Sequence, residues 1–420
     1  MRFLLTVSEP LDAQTGNVNA PQQLSQTWLD DTQTTFHVIT QLGEGFSTCQ
    51  VGLPSSQSMG AANPEMTRYG QQLGIPEPGW LPVTVSSLRQ RAHIVITAGS
   101  FTLFEGRVTT IFPGPGGFPS GFLASGYGAS ATKDDYFTSS STAATTSGAV
   151  VTTALQSAAP LIVAAPTNLF VDPSVAARLV DYTNMYPAQI ISQVSKAGAS
   201  GTLWDFLVYE NRTATFQGRV APVTPDYLIP FDARVQQAQL ISDRMASQVT
   251  LRYTNSSSKT SATVTVTNGT FFAENGWHHV EFIQGGTMSV DAATAYASAL
   301  LDLFAKPQFS ATIIRKGQAI RDDALMPTSM GVETWSGQLR PPWLVRAGQW
   351  AQLSVDATTQ DNVAIAGPHI IHRTEWDSHT GQLTMTIGTT IQDWIQVLAT
   401  IGEHLTAIRA QLNPNTGGPQ

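Results

Sequence analysis

Alternation with a period of two runs through most of this chain and constrains its fold more than any other feature. In Arg91 to Ile111 (RAHIVITAGSFTLFEGRVTTI) apolar and polar residues exchange places along two or three strands, with a turn at Ala98-Gly99-Ser100. Further strands are expected at Leu203 to Tyr209, Thr213 to Val220, Asp226 to Phe231, Gln248 to Tyr253, Gln308 to Arg315, Trp343 to Arg346 and Gln349 to Val355. Ser261 to Asn268 alternates Thr with Val, as an exposed hairpin arm does. Ile370 to Ile387 forms a late hairpin turning at Asp377-Ser378-His379-Thr380-Gly381. The expected fold class is therefore mainly β, with a few helices.

Helical periodicity is confined to short stretches. Asp291 to Ala305 gathers Ala293, Tyr296, Ala297, Leu300 and Phe304 on one face and stops before Pro307. A second helix is expected from an N-cap at Ser174 to Lys196, interrupted at Pro187, and a polar helix or turn over Gln236 to Ser247. Residues 113–160 are rich in Gly, Pro, Ser, Thr and Ala, the composition of a linker or insertion. An insertion of that length ordered without a core of its own lies against a neighbour.

Composition narrows the function. Charged residues make up only 12% of the 420, and 22 Lys+Arg against 30 Asp+Glu leave a net charge of −8. No basic run is available to neutralise phosphates, so tight nucleic-acid binding is not expected. A single cysteine, Cys49, excludes an internal disulfide framework and Cys-rich zinc modules. The apolar start, Phe3 to Val7, is shorter than a signal-peptide core, and no stretch is long and apolar enough to suggest a membrane span.

Catalytic signatures are missing: no G-x-S-x-G, H-E-x-x-H or P-loop pattern occurs. His369 and His372 fall on opposite faces of a regular strand and need a bulge to share an ion; His278-His279 is splayed in the same way. Asp30-Asp31, Asp134-Asp135 and Asp322-Asp323 are adjacent pairs suited to turns and caps. Neither a metal, a cofactor nor a catalytic residue is assigned.

Two features stand above this background. Phe104-Glu105-Gly106-Arg107-Val108 and Phe216-Gln217-Gly218-Arg219-Val220 share F-x-G-R-V at a spacing of 216 − 104 = 112 residues, about one small domain. In such a strand Phe faces the core and Gly allows a bulge or close backbone approach. Arg107 and Arg219 then fall on the opposite face, where a neighbouring domain or subunit can meet them. The other feature is a heptad seam, Ile391, Trp394, Leu398, Ile401, Leu405, Ile408 and Leu412, spaced 3-4-3-4-3-4. Leucine at a with isoleucine at d favours three or four strands over two. Gly402 weakens that helix by about 1 kcal/mol, and the same stripe suits a helix docked on its own domain.

The F-x-G-R-V strands, the block Trp204-Asp205-Phe206-Leu207-Val208-Tyr209-Glu210, the helix ATAYASALLDLFAKPQ, the segment Trp343-Leu344-Val345-Arg346-Ala347-Gly348-Gln349-Trp350 and the hairpin HRTEWDSHTGQLTMTIG together resemble the tail hub proteins (baseplate hub or tail-associated) of tailed bacteriophages. The resemblance spans roughly residues 90–390. It implies a homotrimer in the virion, assembled in the host cytoplasm, closing the distal end of the tail with two tube-like β-barrel domains per subunit in a pseudo-sixfold ring. Partners implied are the tail tube or distal tail protein, the tape measure protein, tail fibres or receptor-binding proteins, and genomic DNA passing without sticking; stable membrane association is not.

The corresponding organisation is a β or irregular region over 1–90 and a tube-like β domain over 91–235 carrying the insertion. A second β region over 236–388 includes helix 291–305, and a candidate trimeric coiled coil occupies 389–413. Two other readings remain open at this stage. A receptor- or carbohydrate-binding tip would use Trp277, Trp335, Trp343 and Trp350 as stacking platforms. A cell-wall hydrolase would need two convergent carboxylates, or Cys49 within reach of a histidine.

Overall fold

A computed structural model describes residues 3–11, 22–29, 35–42, 45–53, 88–89, 91–114, 119–145, 147–164, 178–196, 204–231, 235–241, 245–255, 257–305, 307–316, 332–334, 336, 339–354, 365 and 367–388. The strands are β1 (Phe3–Ser8), β2 (Gln23–Leu29), β3 (Thr35–Gln41), β4 (Phe46–Gly52), β5 (His93–Ala98), β6 (Phe101–Pro113), β7 (Pro119–Gly126), β8 (Phe137–Thr145), β9 (Arg178–Met185), β10 (Trp204–Val208) and β11 (Ala214–Gly218). They continue as β12 (Tyr227–Pro230), β13 (Val235–Ile241), β14 (Gln248–Asn255), β15 (Ser261–Thr267), β16 (Val280–Met288), β17 (Gln308–Lys316), β18 (Val332–Thr334), β19 (Leu339–Arg340), β20 (Trp350–Ser354), β21 (Pro368–Asp377) and β22 (Gln382–Gly388). Helices are α1 (Ser130–Lys133), α2 (Ser147–Ala158), α3 (Pro187–Lys196), α4 (Phe271–Asn275) and α5 (Val290–Phe304). The chain is mainly β, as its alternation requires.

One hydrogen-bonded network joins most strands. Its spine runs antiparallel through β2, β1, β5, β6, β7, β4, β3, β21, β22, β17 and β13. Four strands separate β1 from β3 along this path, yet Phe3 and Phe36 meet with ring centroids 4.9 Å apart, and Phe3 lies 5.3 Å from Trp376. The accumulated twist of the strands therefore curls the sheet over its own core. Among the described residues no ladder closes it, so the structure is a curled sheet where the family resemblance implied barrels. The enclosed core draws on Phe3, Leu5 and Val7 at one end of the chain and on Leu383, Met385 and Ile387 near the other.

A second layer covers one side of this sheet. Helix α2 buries Val150, Val151, Ala154, Leu155 and Ala158, spaced for one face, against Ile190, Ile191 and Val194 of α3 and against Trp204 and Phe216 of the β10–β11 hairpin. The Gly/Ser/Thr-rich segment expected as an insertion without a core thus contributes strands, helix α2 and part of a core. The expected helix from Ser174 also differs. Arg178–Met185 pairs with β8 as a strand, and the helix begins at Pro187. The reason is local: proline suits the first helical position and pushes the residue before it out of the helical region. The Tyr186 N–H donates to Gln189 Oε1 (3.1 Å), closing that N-terminus. Val235–Ile241, expected as a polar helix or turn, pairs with β17, with a bulge between Gln236 and Gln239.

A third unit holds β15-β14-β16 under α5. Ser289 caps α5 by accepting from the Ala292 N–H at 3.2 Å, and Ala293, Ala297, Leu300, Leu301 and Phe304 are buried.

Candidate functional site

The most concentrated chemistry lies in the seam between the curled sheet and the helical layer. In β6, residues 103–108 are buried on both faces. Phe104 and Val108 face the sheet core, and by strand alternation Glu105 and Arg107 face the helical layer. Gly106 is required by close approach: a Cβ there would lie 2.4 Å from the Ser125 carbonyl oxygen.

Into this face projects the turn of the β10–β11 hairpin. Asn211 and Arg212 both hold positive φ, 61° and 56°. Asparagine tolerates that region, whereas an arginine there is strained by about 1–2 kcal/mol. From this backbone the turn reaches a buried carboxylate and a ring. Arg212 Nε lies 3.1 Å from Glu105 Oε1, and its guanidinium sits over the Tyr127 ring, 5.8 Å from the centroid. Tyr127 Oη and His93 Nδ1 share a hydrogen bond of 2.8 Å, and His93 Nε2 is 3.9 Å from Glu105. From the same turn Glu210 accepts from Arg346 Nε. Arg346 Nη2 also donates to the Leu103 carbonyl at 3.0 Å. One strained turn is thereby clamped at both ends by ion pairs, the Arg212–Glu105 pair being the more deeply buried.

Burial sets the electrostatics. It raises the Glu105 pKa above the usual carboxylate value against the opposing pull of Arg212. It lowers His93 to about 4, with Arg212 adding to the effect. Tyr127 is also pushed up by burial. The imidazole is therefore neutral at pH 7.

Each echo arginine pairs with a carboxylate of its own chain, Arg107 beside the seam and Arg219 at the end of the β10–β11 hairpin far from the 210–212 turn. Arg107 binds Asp134 bidentately, Nη1–Oδ2 at 2.9 Å and Nη2–Oδ1 at 2.7 Å. Arg219 also binds bidentately, but through its side, Nε to Asp205 Oδ2 at 2.9 Å and Nη2 to Oδ1 at 2.6 Å. The two copies of the motif differ in setting: Val108 is buried within β6, whereas Arg219 and Val220 lie past the end of β11 and Val220 is exposed. A cleft of about 740 Å³ opens beside the first pair, between Arg91, Arg107, Tyr127, Asp134 and an apolar wall including Leu11 and Leu161.

The remaining sequence candidates fall elsewhere. Ile391, Trp394, Leu398, Ile401, Leu405, Ile408 and Leu412 lie outside the described residues. His369 and His372 are both buried because the ladder shifts register between Ile371 and Arg373, the bulge that regular alternation lacks. They bond the Ile365 and Gly388 carbonyls at 2.9 and 3.1 Å. Among the described residues no group of three His, Cys, Asp or Glu gathers to hold a metal. Cys49 is buried, and its thiol pKa is pushed up by burial. Trp343 is buried beside Phe3, while Trp277 is partly exposed and edge-on to Phe271; Trp335 lies outside the described residues. Glu105, Arg212, Glu210 and Arg346 were not singled out by sequence reasoning. The one available signal was a carboxylate inside a run otherwise composed for burial.

The fold of this chain is that of phage tail proteins. It is similar to the 43 kDa tail protein of prophage MuSo2 from Shewanella oneidensis (TM-score 0.53, 10% identity), over 92% of this chain and 98% of that one. A tail protein of Neisseria meningitidis MC58 gives TM-score 0.53 at 9% identity, over 92% and 96%. The prophage tail protein gp18 of Listeria monocytogenes EGD-e gives 0.51 at 9%, over 97% and 100%. No protein-family model matches the sequence, and no curated protein matches it. With about one residue in ten identical, the likeness lies in the path of the chain.

Proposed function

We propose that this protein is a structural component of a phage-type tail, the trimeric hub that joins the tail tube to the tip and encloses the DNA conduit. The observation that carries the reading is the nearly end-to-end fold similarity to three tail proteins, over 92–97% of this chain and 96–100% of theirs. The seam supports it: its buried charges pair with one another and hold two layers together, the work of a mechanical joint.

In this reading three copies associate about a common axis through the heptad seam at 391–412. Their combined charge of 3 × (−8) = −24 repels the phosphate backbone, so a genome slides past without binding. The tail tube or distal tail protein lies above, the tape measure protein ends within, and fibres or receptor-binding proteins attach at the tip. The deciding experiment is the stoichiometry and symmetry of the protein in its native particle by electron microscopy. Three copies about the tail axis are expected; a monomeric or two-fold arrangement overturns the hub assignment.

A further inference from the structure

The third unit carries an open strand edge that nothing in the hub reading uses. Strand β15 pairs with β14 through seven unbroken positions, Gln248↔Thr267 to Thr254↔Ser261. On the far side of the sheet β16 is flanked by helix α3, whereas among the described residues no strand pairs with the outer edge of β15. The Asn255 N–H donates to the Thr260 carbonyl at 2.8 Å, which makes that pair a hydrogen-bonded one. Antiparallel ladders alternate, so Ser261, Thr263, Thr265 and Thr267 turn their N–H and C=O groups away from β14 toward the open edge.

Natural edge strands are guarded by lysine, proline, bulges or short length. β15 has none of these: its sequence is SATVTVT, seven residues in regular register. Its inward side chains, Ala262, Val264 and Val266, are only half-buried, while Val249 and Leu251 of the central strand are fully buried. Another strand alongside β15 would complete the burial that α5 begins.

Charge indicates what that strand carries. From Arg244 to Ala273 the chain has no Asp or Glu and three cations, Arg244, Arg252 and Lys259, in a protein of net charge −8. Arg252 Nε donates to the Ser261 hydroxyl at 3.2 Å, which places a guanidinium at the start of the open edge. The hairpin turn holding Lys259 adjoins it.

We infer that the edge of β15 accepts an extended segment of a different polypeptide, apolar at alternate positions and acidic at the end that lies beside Ser261, as an added strand. Recognition comes from main-chain pairing, and the alternate apolar side chains and the acidic end select the segment. A second copy of this chain fits less well, because its own edge strand, SATVTVT, carries no carboxylate to meet Arg252 or Lys259.

The test uses the full chain and a synthetic fluorescent peptide of alternating valine and threonine with two aspartates at one end. Saturable binding measured by anisotropy is expected. It should weaken about tenfold or more in Thr263→Pro and in Thr265→Pro, each of which removes an outward N–H without removing a β14–β15 bond. Thr265→Val, which keeps the N–H, should bind like the parent. A peptide N-methylated at alternate amides tests the same bonds without altering the protein and should not bind in one of its two registers. A peptide with lysines in place of aspartates should bind more weakly at low salt. Absence of saturation at millimolar peptide, or affinity indifferent to both prolines and both methylated peptides, overturns the proposal. So does concentration-dependent self-association of the chain that Thr265→Pro abolishes, since the occupant is then a second copy.

Discussion

Arg212 reaches Glu105 at 3.1 Å from a backbone held at φ 56°, so an ion pair between two layers is maintained by a residue in a conformation that arginine disfavours. Both side chains are about nine-tenths buried. In such a place the Coulombic attraction is set against desolvation, and the net contribution of the pair is small. Removing one member is a different matter, because the other charge then stays buried without a partner.

Glu105→Gln should therefore destabilise the chain by about 3–5 kcal/mol. Thermal unfolding followed by circular dichroism should show the midpoint falling by about 3–6 °C. An unchanged midpoint would mean that water or another group already neutralises Arg212.

His93 makes stability depend on pH. Its folded pKa of about 4 lies below the ordinary value of 6.5, so between those limits the unfolded chain binds a proton that the folded chain refuses. Stability contributed by this histidine is present above about pH 6.5 and is lost as pH falls toward 4, by about 3 kcal/mol in all. Glu105, with its raised pKa, acts in the opposite sense: deprotonation as pH rises through that value costs stability. Urea midpoints measured from pH 4 to 7.5 should show a shallower acid-side loss in His93→Gln than in the parent.

Gly106→Ala places a methyl group 2.4 Å from the Ser125 carbonyl oxygen, and both sides of that contact are backbone in paired strands. A cost of about 3 kcal/mol or more is expected, read as a fall in soluble yield and in the unfolding midpoint. Gly99→Ala is the useful control for crowding: nothing lies within 4 Å of its Cβ position, so its cost should come from its φ of 58° alone.

Leu398→Glu combined with Leu405→Glu puts two charges into the heptad seam. If that seam holds the oligomer, sedimentation should show the mass dropping from three chains to one. An unchanged mass would move the contact to another surface.

Much of the architecture was legible locally. Alternation in Ser261–Thr267 and Gln382–Gly388 marks strands because one face of each turns from water, and the spacing of Ala293, Ala297, Leu300 and Phe304 marks a helix for the same reason. Pro187 marks the start of α3 in the sequence itself, because proline bars the residue before it from the helical region. Val235–Ile241 was not legible, since VQQAQLI has no strong preference and becomes a strand by pairing with β17.

By itself the sequence determined a mainly β chain of low charge, its hairpin turns and its most regular helix, because each follows from the polarity of neighbouring residues. Tertiary structure alone decided that Arg107 meets Asp134, that Arg219 meets Asp205, and that Glu105 and Arg212, 107 positions apart (212 − 105), share one buried seam. Such pairings depend on how far a sheet curls and which layer closes over it. That is a sum of many small twists and burials along the whole chain, and it leaves no mark on any short stretch of residues.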